Sequence, residues 1–317
     1  MRIVMVSPAA PGSRTGNATT AARWTRRLRE LGHRVAVRTA WDGDACDLLV
    51  ALHARKSARS VERFHRAHPG RPIIVVLTGT DLYRDLPRNA AARRTLAAAT
   101  RLIVLQPLAI RALPATCRSK ATVILQSATS PRRGVRRPRT KFFDVAVLAH
   151  LRAVKDPLRA ARAARLLPAD SRIRVVHAGA ALTPADAARA RAEMRRNPRY
   201  LWLGSVSPAR ARRLLQHAGA LVLSSRLEGG ANVVSEAIAC GVPVLASRIP
   251  GTVGLLGAHY PGYFTVGDTR RLARLLQRFE SDARFRTRLQ RDVQRLAPRF
   301  TATRERAAWR TLFASLA

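Results

Sequence analysis

The chain has 317 residues and sets 58 Lys and Arg against 19 Asp and Glu, a formal net charge of +39 at pH 7. A hydrophobic fraction of 47% excludes a solvated basic arm, and the length suits two domains, because single cores stop growing near about 250 to 300 residues. The charge admits an anionic partner, yet only Lys56, Lys120, Lys141 and Lys155 are lysines, and most of the Arg reads as solvated surface.

Short β-branched runs at residues 3–6, 35–37, 48–52, 73–77, 102–105 and 123–125 read as strands. Between them, residues 19–31, 58–67 and 89–99 carry a helical period, and Gly32 supplies a stop for the first. The stretch 127–141, with Pro131, Gly134, Pro138 and five Arg, reads as an exposed linker. Alternation then resumes: strand 145–148, helix 158–167, strand 173–177, helix 184–196, strand 200–203, helix 208–217, strand 220–224, helix 232–240 and strand 242–246. Gly267-Asp268-Thr269 opens a further helix, and 303–316 reads as the last. Strand-helix alternation implies parallel sheets covered on both faces. The expected fold is therefore α/β, with two doubly wound, Rossmann-like domains facing a central cleft. We expect the first domain over 1–126, the linker over 127–141, the second domain over 142–299, and a C-terminal helix over 300–317 that can pack back on the first.

Cys46, Cys117 and Cys240 lie far apart, without a CxxC or a His/Cys cluster at metal-ligand spacing. Reduced thiols, no metal, no cofactor and a cytoplasmic location are the expectation. No segment approaches the roughly 20 apolar residues of a membrane span. Aromatic residues are only 5%, and no helix-turn-helix, zinc-finger or RNA-binding aromatic motif is present, which argues against nucleic acid. Nothing in the sequence specifies an oligomeric state.

The most informative stretch is 224–246, SSRLEGGANVVSEAIACGVPVLA. A strand ends near Ser224, Gly229-Gly230 make a turn, and a helix begins near Ala231. The amides of Gly230, Ala231, Asn232 and Val233 would emerge from a helix N-terminus, where they can hold an anion or a sugar oxygen. Glu228 and Glu236 can face the same bound molecule, and ionised carboxylates suit sugar hydroxyls. In the first domain, the loop after the first strand carries Gly12 and Gly16, which permit close backbone approach. Arg14 and the helix N-terminus after Asn17 make a candidate anion pocket there, with a plain surface loop as the alternative.

A pair of Glu separated by seven residues, with Gly-Gly after the first and Ala-x-Ala-x-Gly-x-Pro-Val after the second, resembles the donor motif of GT-B glycosyltransferases of the family 4 type. The resemblance implies that Glu236 holds the ribose of a nucleotide-sugar and Glu228 holds the transferred hexose. Gly229, Gly230, Ala231, Asn232 and Val233 would line the sugar and diphosphate. Segment 147–157 resembles the family's cationic loop, which implies that Lys155 neutralises the donor diphosphate as charge builds on the leaving group. His150 stands where the family has Arg, and Arg152 is the candidate to replace it. After the fourth strand, Thr78-Gly79-Thr-Asp81 stands where many relatives have His-Gly-x-Asp, so Thr78 replaces a His that touches the transferred sugar.

Five segments, 12–17 (GSRTGN), 49–57 (LVALHARKS), 77–86 (LTGTDLYRDL), 150–157 (HLRAVKDP) and 248–257 (RIPGTVGLLG), resemble one branch, the selenosugar synthases of selenoneine biosynthesis. This resemblance spans nearly the whole chain. It implies a UDP-sugar donor, UDP-N-acetylglucosamine or UDP-glucose, and selenophosphate as acceptor, with UDP and eventually phosphate released. Selenophosphate is soft and already anionic, so a strong general base is less necessary than for an alcohol. Holding two polyanions calls for cations, for which Arg14, Arg84, Arg152 and Lys155 are candidates. His53 and Gln106 end strands of the first domain, and each fits either a site role or a buried, hydrogen-bonded structural one. An ordinary hexosyltransferase with an alcohol or lipid acceptor is the alternative reading.

Overall fold

The structure, a computed structural model, describes residues 1–10, 12–13, 15–129 and 141–316. Most of the linker expected over 127–141, and Arg14, lie outside the described residues. The strands are β1 (Arg2–Val6), β2 (Arg34–Arg38), β3 (Leu48–Leu52), β4 (Ile73–Leu77), β5 (Arg101–Val104), β6 (Ala121–Val123), β7 (Phe143–Leu148), β8 (Ile173–Ala178), β9 (Tyr200–Trp202), β10 (Ala220–Leu223), β11 (Val244–Ser247) and β12 (Tyr263–Phe264). The helices are α1 (Gly16–Glu30), α2 (Ala58–Ala67), α3 (Ala90–Ala98), α4 (Arg159–Ala164), α5 (Pro184–Arg196), α6 (Pro208–His217), α7 (Asn232–Ala239), α8 (Pro250–Leu256), α9 (Thr269–Ser281), α10 (Ala283–Leu296) and α11 (Ala302–Ala314).

They form two six-stranded sheets, ordered β2-β1-β3-β4-β5-β6 and β12-β11-β10-β7-β8-β9, and every pairing is parallel. The chain divides into two compact units. The first comprises Met1–Ser127, Glu228–Asn232 and Thr301–Ala317; the second comprises Ala128–Leu227 and Val233–Phe300.

In the first unit, side chains alternate between the two faces of the sheet, as the two-residue period of a strand requires. Ile3, Met5, Leu48, Val50, Ile74 and Ile103 pack against Trp24 and Leu28 of α1 and Trp309 of α11. Val4, Leu49, Val75 and Val104 pack on the other face against Phe64 of α2 and Leu96 of α3. In the second unit the core is tighter at one point. Ala160, Ala161, Ala163 and Ala164 of α4 are all fully buried, because only methyl groups leave room for α4 to lie close to α9 and the sheet.

The differences from the sequence reading lie at edges and in the last third of the chain. β6 covers 121–123 rather than 123–125: an edge strand has one partner, here β5, and its register follows that pairing. α4 is six residues instead of the ten read from 158–167. α8 and β12 carry weak periodicity and were not separated from the loops around them. Asp282 ends α9 and also caps α10, accepting from the Phe285 amide at 2.9 Å, so two helices follow Gly267-Asp268-Thr269 where one was expected.

One buried histidine sets a pH dependence of stability. His177, fully buried on β8, donates from Nε2 to the Ala149 carbonyl (2.8 Å) and accepts at Nδ1 from the Tyr200 hydroxyl (2.7 Å). Burial pushes its pKa down to about 4. The unfolded chain therefore takes up this proton first, so the contribution is complete above the ordinary histidine value and is lost as pH falls toward 4. We expect His177 to account for about 2 kcal/mol of stability lost between about pH 7 and about pH 5. Urea denaturation at both pH values should show a flatter dependence in His177→Gln; an identical slope would refute the assignment.

Candidate active site

Strand order decides where a doubly wound sheet binds ligands: outside the carboxyl ends of the two strands at which the winding reverses. In the second sheet those strands are β7 and β10, with Ala220 opposite Val145. The loops that leave them are residues 149–158 and 224–231, the two segments singled out from the sequence. In the first sheet the reversal lies between β1 and β3, whose loops carry Gly12 and His53.

The loop after β7 is a short 3-10 turn, Ala153–Lys155, closed by Asp156 in the left-handed conformation at φ +42°. That backbone is costly for a residue with a Cβ and persists only where neighbours hold it. Arg159 does so, with Nε 2.9 Å and Nη2 2.8 Å from Asp156 Oδ2, while its Nη1 donates to Thr269 Oγ1 at 2.7 Å. From β10, the Ser224 hydroxyl donates to the Asp156 carbonyl (2.7 Å), and the Arg226 amide donates to the Val154 carbonyl (2.8 Å). Lys155 thus sits half-buried on a turn pinned from both sides. Asp156, Arg159, Thr269 and Ser224 were not foreseen; the signal available was Asp-Pro following Lys155, a frequent end of a tight turn.

His150 accepts at Nδ1 from the Ala180 amide at 3.0 Å, which ties this loop to the one after β8. A nitrogen engaged in this way does a different task from the Arg that the family resemblance placed there. Arg152 is exposed, and it lines a cavity bordered by neither Lys155 nor His150.

Glu236 lies on α7, one turn inside the helix that begins at Asn232, one residue after the position expected from the sequence. Glu228 is buried at 8% exposure and belongs, with Gly229, Gly230, Ala231 and Asn232, to the first unit. The two glycines have a packing reason. A Cβ on Gly229 would stand 2.5 Å from the Thr78 carbonyl, and one on Gly230 would stand 2.4 Å from Leu105 Cβ. The Asn232 side chain is also engaged, its Oδ1 accepting from Arg23 Nη1 at 2.6 Å. Within this unit, then, residues 229–232 are seated on protein.

In the loop after β4, the Asp81 carboxylate is engaged by the chain's own amides. Asp81 is fully buried, and its carboxylate accepts from the amides of Thr78 (2.9 Å), Gly79 (2.8 Å) and Ala54 (3.0 Å). It organises the loop after β4 and ties it to the end of β3. Gly79 is required by that turn, at φ +127° with Gly229 N only 2.6 Å from where a Cβ would sit. α1 starts at Gly16, one residue before Asn17, and Thr15 caps it by accepting from the Ala18 amide. Gly12 takes φ +81°, so its turn does need glycine.

His53 is buried and holds φ +74°, the left-handed region that a residue of this size rarely adopts. Its Nδ1 accepts from the Lys56 amide (3.4 Å), and its Nε2 donates to Thr80 Oγ1 (3.1 Å). Burial lowers its pKa, against the nearby carboxylates of Asp81 and Asp85, so the ring is neutral near pH 7. Gln106 takes the structural role: fully buried, it accepts from the Leu108 amide and donates to the Tyr83 hydroxyl at 2.8 Å. Arg84 is more than half exposed, with Nε 3.3 Å from Asp85 Oδ1. Among the described residues no group of three or more His, Cys, Asp or Glu is placed to hold a metal ion, and no helix is long and apolar enough to cross a membrane.

Comparison with known proteins places this arrangement. The Anabaena protein HepE, solved with UDP-glucose, matches with a TM-score of 0.77 at 16% identity over 99% of this chain and 100% of that one. Sucrose-phosphate synthase from Thermosynechococcus elongatus matches at 0.78 and 16%, over 99% of each chain. A glycosyltransferase from Rickettsia africae matches at 0.76 and 11%, over 99% and 98%. With two parallel six-stranded sheets, the fold is that of the GT-B glycosyltransferases. A family model for glycosyl transferases group 1 matches residues 132–295, just over half of the chain. The chain belongs to that family and is a glycosyltransferase.

Proposed function

We propose that this glycosyltransferase transfers the hexose of a UDP-sugar, UDP-glucose or UDP-N-acetylglucosamine, to the selenium of selenophosphate, as the selenosugar synthase of selenoneine biosynthesis. A selenium lone pair forms the bond to the anomeric carbon, and the bond from that carbon to the β-phosphate oxygen breaks with its electrons on UDP. Water then cleaves the P–Se bond and phosphate leaves. The reading rests above all on the loop after β4, where Thr78 replaces the His of the resembling family and Asp81 is consumed by backbone amides. An alcohol acceptor needs a base to remove its proton, whereas selenophosphate arrives already ionised.

In this reading Lys155 meets the diphosphate, Glu236 the ribose and Glu228 the hexose hydroxyls. The amides of Ala231 and of Asn232 and Val233 at the start of α7 add fixed dipoles at low cost in reorganisation. Gly12, Gly16, Asn17 and Thr78 border the acceptor, with Arg14 and Arg84 as cations. The UDP-bound and UDP-glucose-bound forms of HepE, on the same fold, support the donor class. The test is incubation with a UDP-sugar and either selenophosphate or a panel of alcohols, read by product mass. A selenium-containing hexose formed only with selenophosphate is the expected product. Hexosyl transfer to an alcohol, with none to selenophosphate, would replace this reading by an ordinary hexosyltransferase.

A further inference from the structure

A cavity of about 590 Å³ opens in the second unit beside the turn that carries Lys155. Four guanidinium groups border it from four separate elements: Arg152 on the loop after β7, Arg162 on α4, Arg189 on α5 and Arg226 on the loop after β10. Two carboxylates join them, and both are already engaged: Asp186 by Arg189 and by the Thr183 hydroxyl at 2.9 Å, and Asp156 by Arg159 at 2.8 Å. Among the described residues, no acid pairs with Arg152, Arg162 or Arg226. The wall between them is apolar, built partly from buried Leu151.

Like charges gathered at one concavity repel, and an apolar wall strengthens that repulsion by lowering the local dielectric. An anion entering the cavity reverses the sign of the interaction. Guanidinium groups match tetrahedral phosphoryl oxygens with paired, directional N–H donors, and solvation holds them less strongly than it holds an ammonium. The positions are also fixed beforehand: the Arg226 amide is bonded to the Val154 carbonyl at 2.8 Å, so the loops carrying Arg152 and Arg226 are joined.

We infer that this cavity binds a phosphoryl-type oxyanion, at a site separate from the donor diphosphate contact assigned above to Lys155. Neither Lys155, His150 nor Glu236 borders it. An anion held by Arg152 and Arg226 bears on the two strands of chain that pin the Lys155 turn.

The test is calorimetric titration of the full chain with inorganic phosphate, alone and with saturating UDP, and a parallel titration with glucose 1-phosphate. We expect one phosphate per chain, bound equally with and without UDP. Affinity should fall at least about tenfold in Arg162→Gln/Arg226→Gln and stay unchanged in Arg288→Gln, an exposed charge on α10. Both substituted positions are exposed, so thermal melting should match the wild type; if the double variant did not fold, Arg162→Gln alone should lose about threefold. Tighter binding of glucose 1-phosphate than of phosphate assigns the occupant as a phosphomonoester, and the converse assigns the free ion. Phosphate displaced by UDP, a double variant binding within about twofold of wild type, or an equal loss in Arg288→Gln would each overturn the inference. Failure to bind UDP at all would sink the donor reading, while the titration without UDP would still decide this site.

Discussion

Lys155→Ala is expected to lower turnover with a UDP-sugar by about tenfold to about a thousandfold while leaving the fold intact, and Glu228→Ala is expected to do the same. The turn that carries the Lys155 ammonium is held by several other groups. Asp156 is held by Arg159, and the backbone is held by Ser224 and by the Arg226 amide. Removing the side chain should therefore subtract a charge at a defined place rather than collapse the loop. Glu228 is buried beside two glycines packed closely on the Thr78 backbone and on Leu105, so its truncation likewise leaves the segment in position. The measurement is steady-state UDP release beside a thermal melt. Wild-type rates in both variants would remove these residues from the site, and a lowered melting temperature would assign their effect to folding.

The second large effect concerns stability. Glu305 on α11 has a fully buried side chain whose carboxylate accepts from Trp24 Nε1 (2.8 Å), from the Ser127 amide (3.1 Å) and from the Ser127 hydroxyl (2.5 Å). Arg27 Nε lies 3.4 Å away. Glu305→Ala leaves these donors, one of them charged, buried without an acceptor, and we expect a loss of about 3 to 5 kcal/mol. Glu305→Gln keeps the shape and one acceptor oxygen and should lose less, about 1 to 2 kcal/mol. Urea denaturation distinguishes the two. A loss below about 1 kcal/mol for Glu305→Ala would show that the carboxylate is not the fastening of α11 to α1, and that the edge-on packing of Trp24 and Trp309, 5.1 Å apart, carries it instead.

The candidate site residues legible beforehand were those written locally. Glu228, Gly229, Gly230 and Glu236 fall within one strand-turn-helix segment, and Lys155 was placed by the resemblance of segment 147–157 to the family's cationic loop. The supports of those residues were not legible. Asp156 reaches Thr269 through Arg159, a contact across more than a hundred positions, and no local pattern announces it. Asp81 was singled out only through the resemblance of residues 78–81 to a family motif, and the three backbone amides it accepts from come together only once β3 and β4 lie side by side.

By itself, the sequence determined that this is an α/β protein of two parallel sheets with a sugar-transfer motif after a strand of the second. Side-chain periods of 2 and 3.6 residues and the chemistry of a turn are properties of neighbouring residues, so they survive without knowledge of the partners. Tertiary structure alone decided the strand order, and with it that β7 and β10 adjoin and that their loops are stitched together. It also decided which polar groups are spent on burial, because a buried donor must be satisfied by whatever distant segment packs over it. The charge of +39 was visible from the first, but the gathering of four arginines around one cavity depends on helices and loops that meet only in the folded chain.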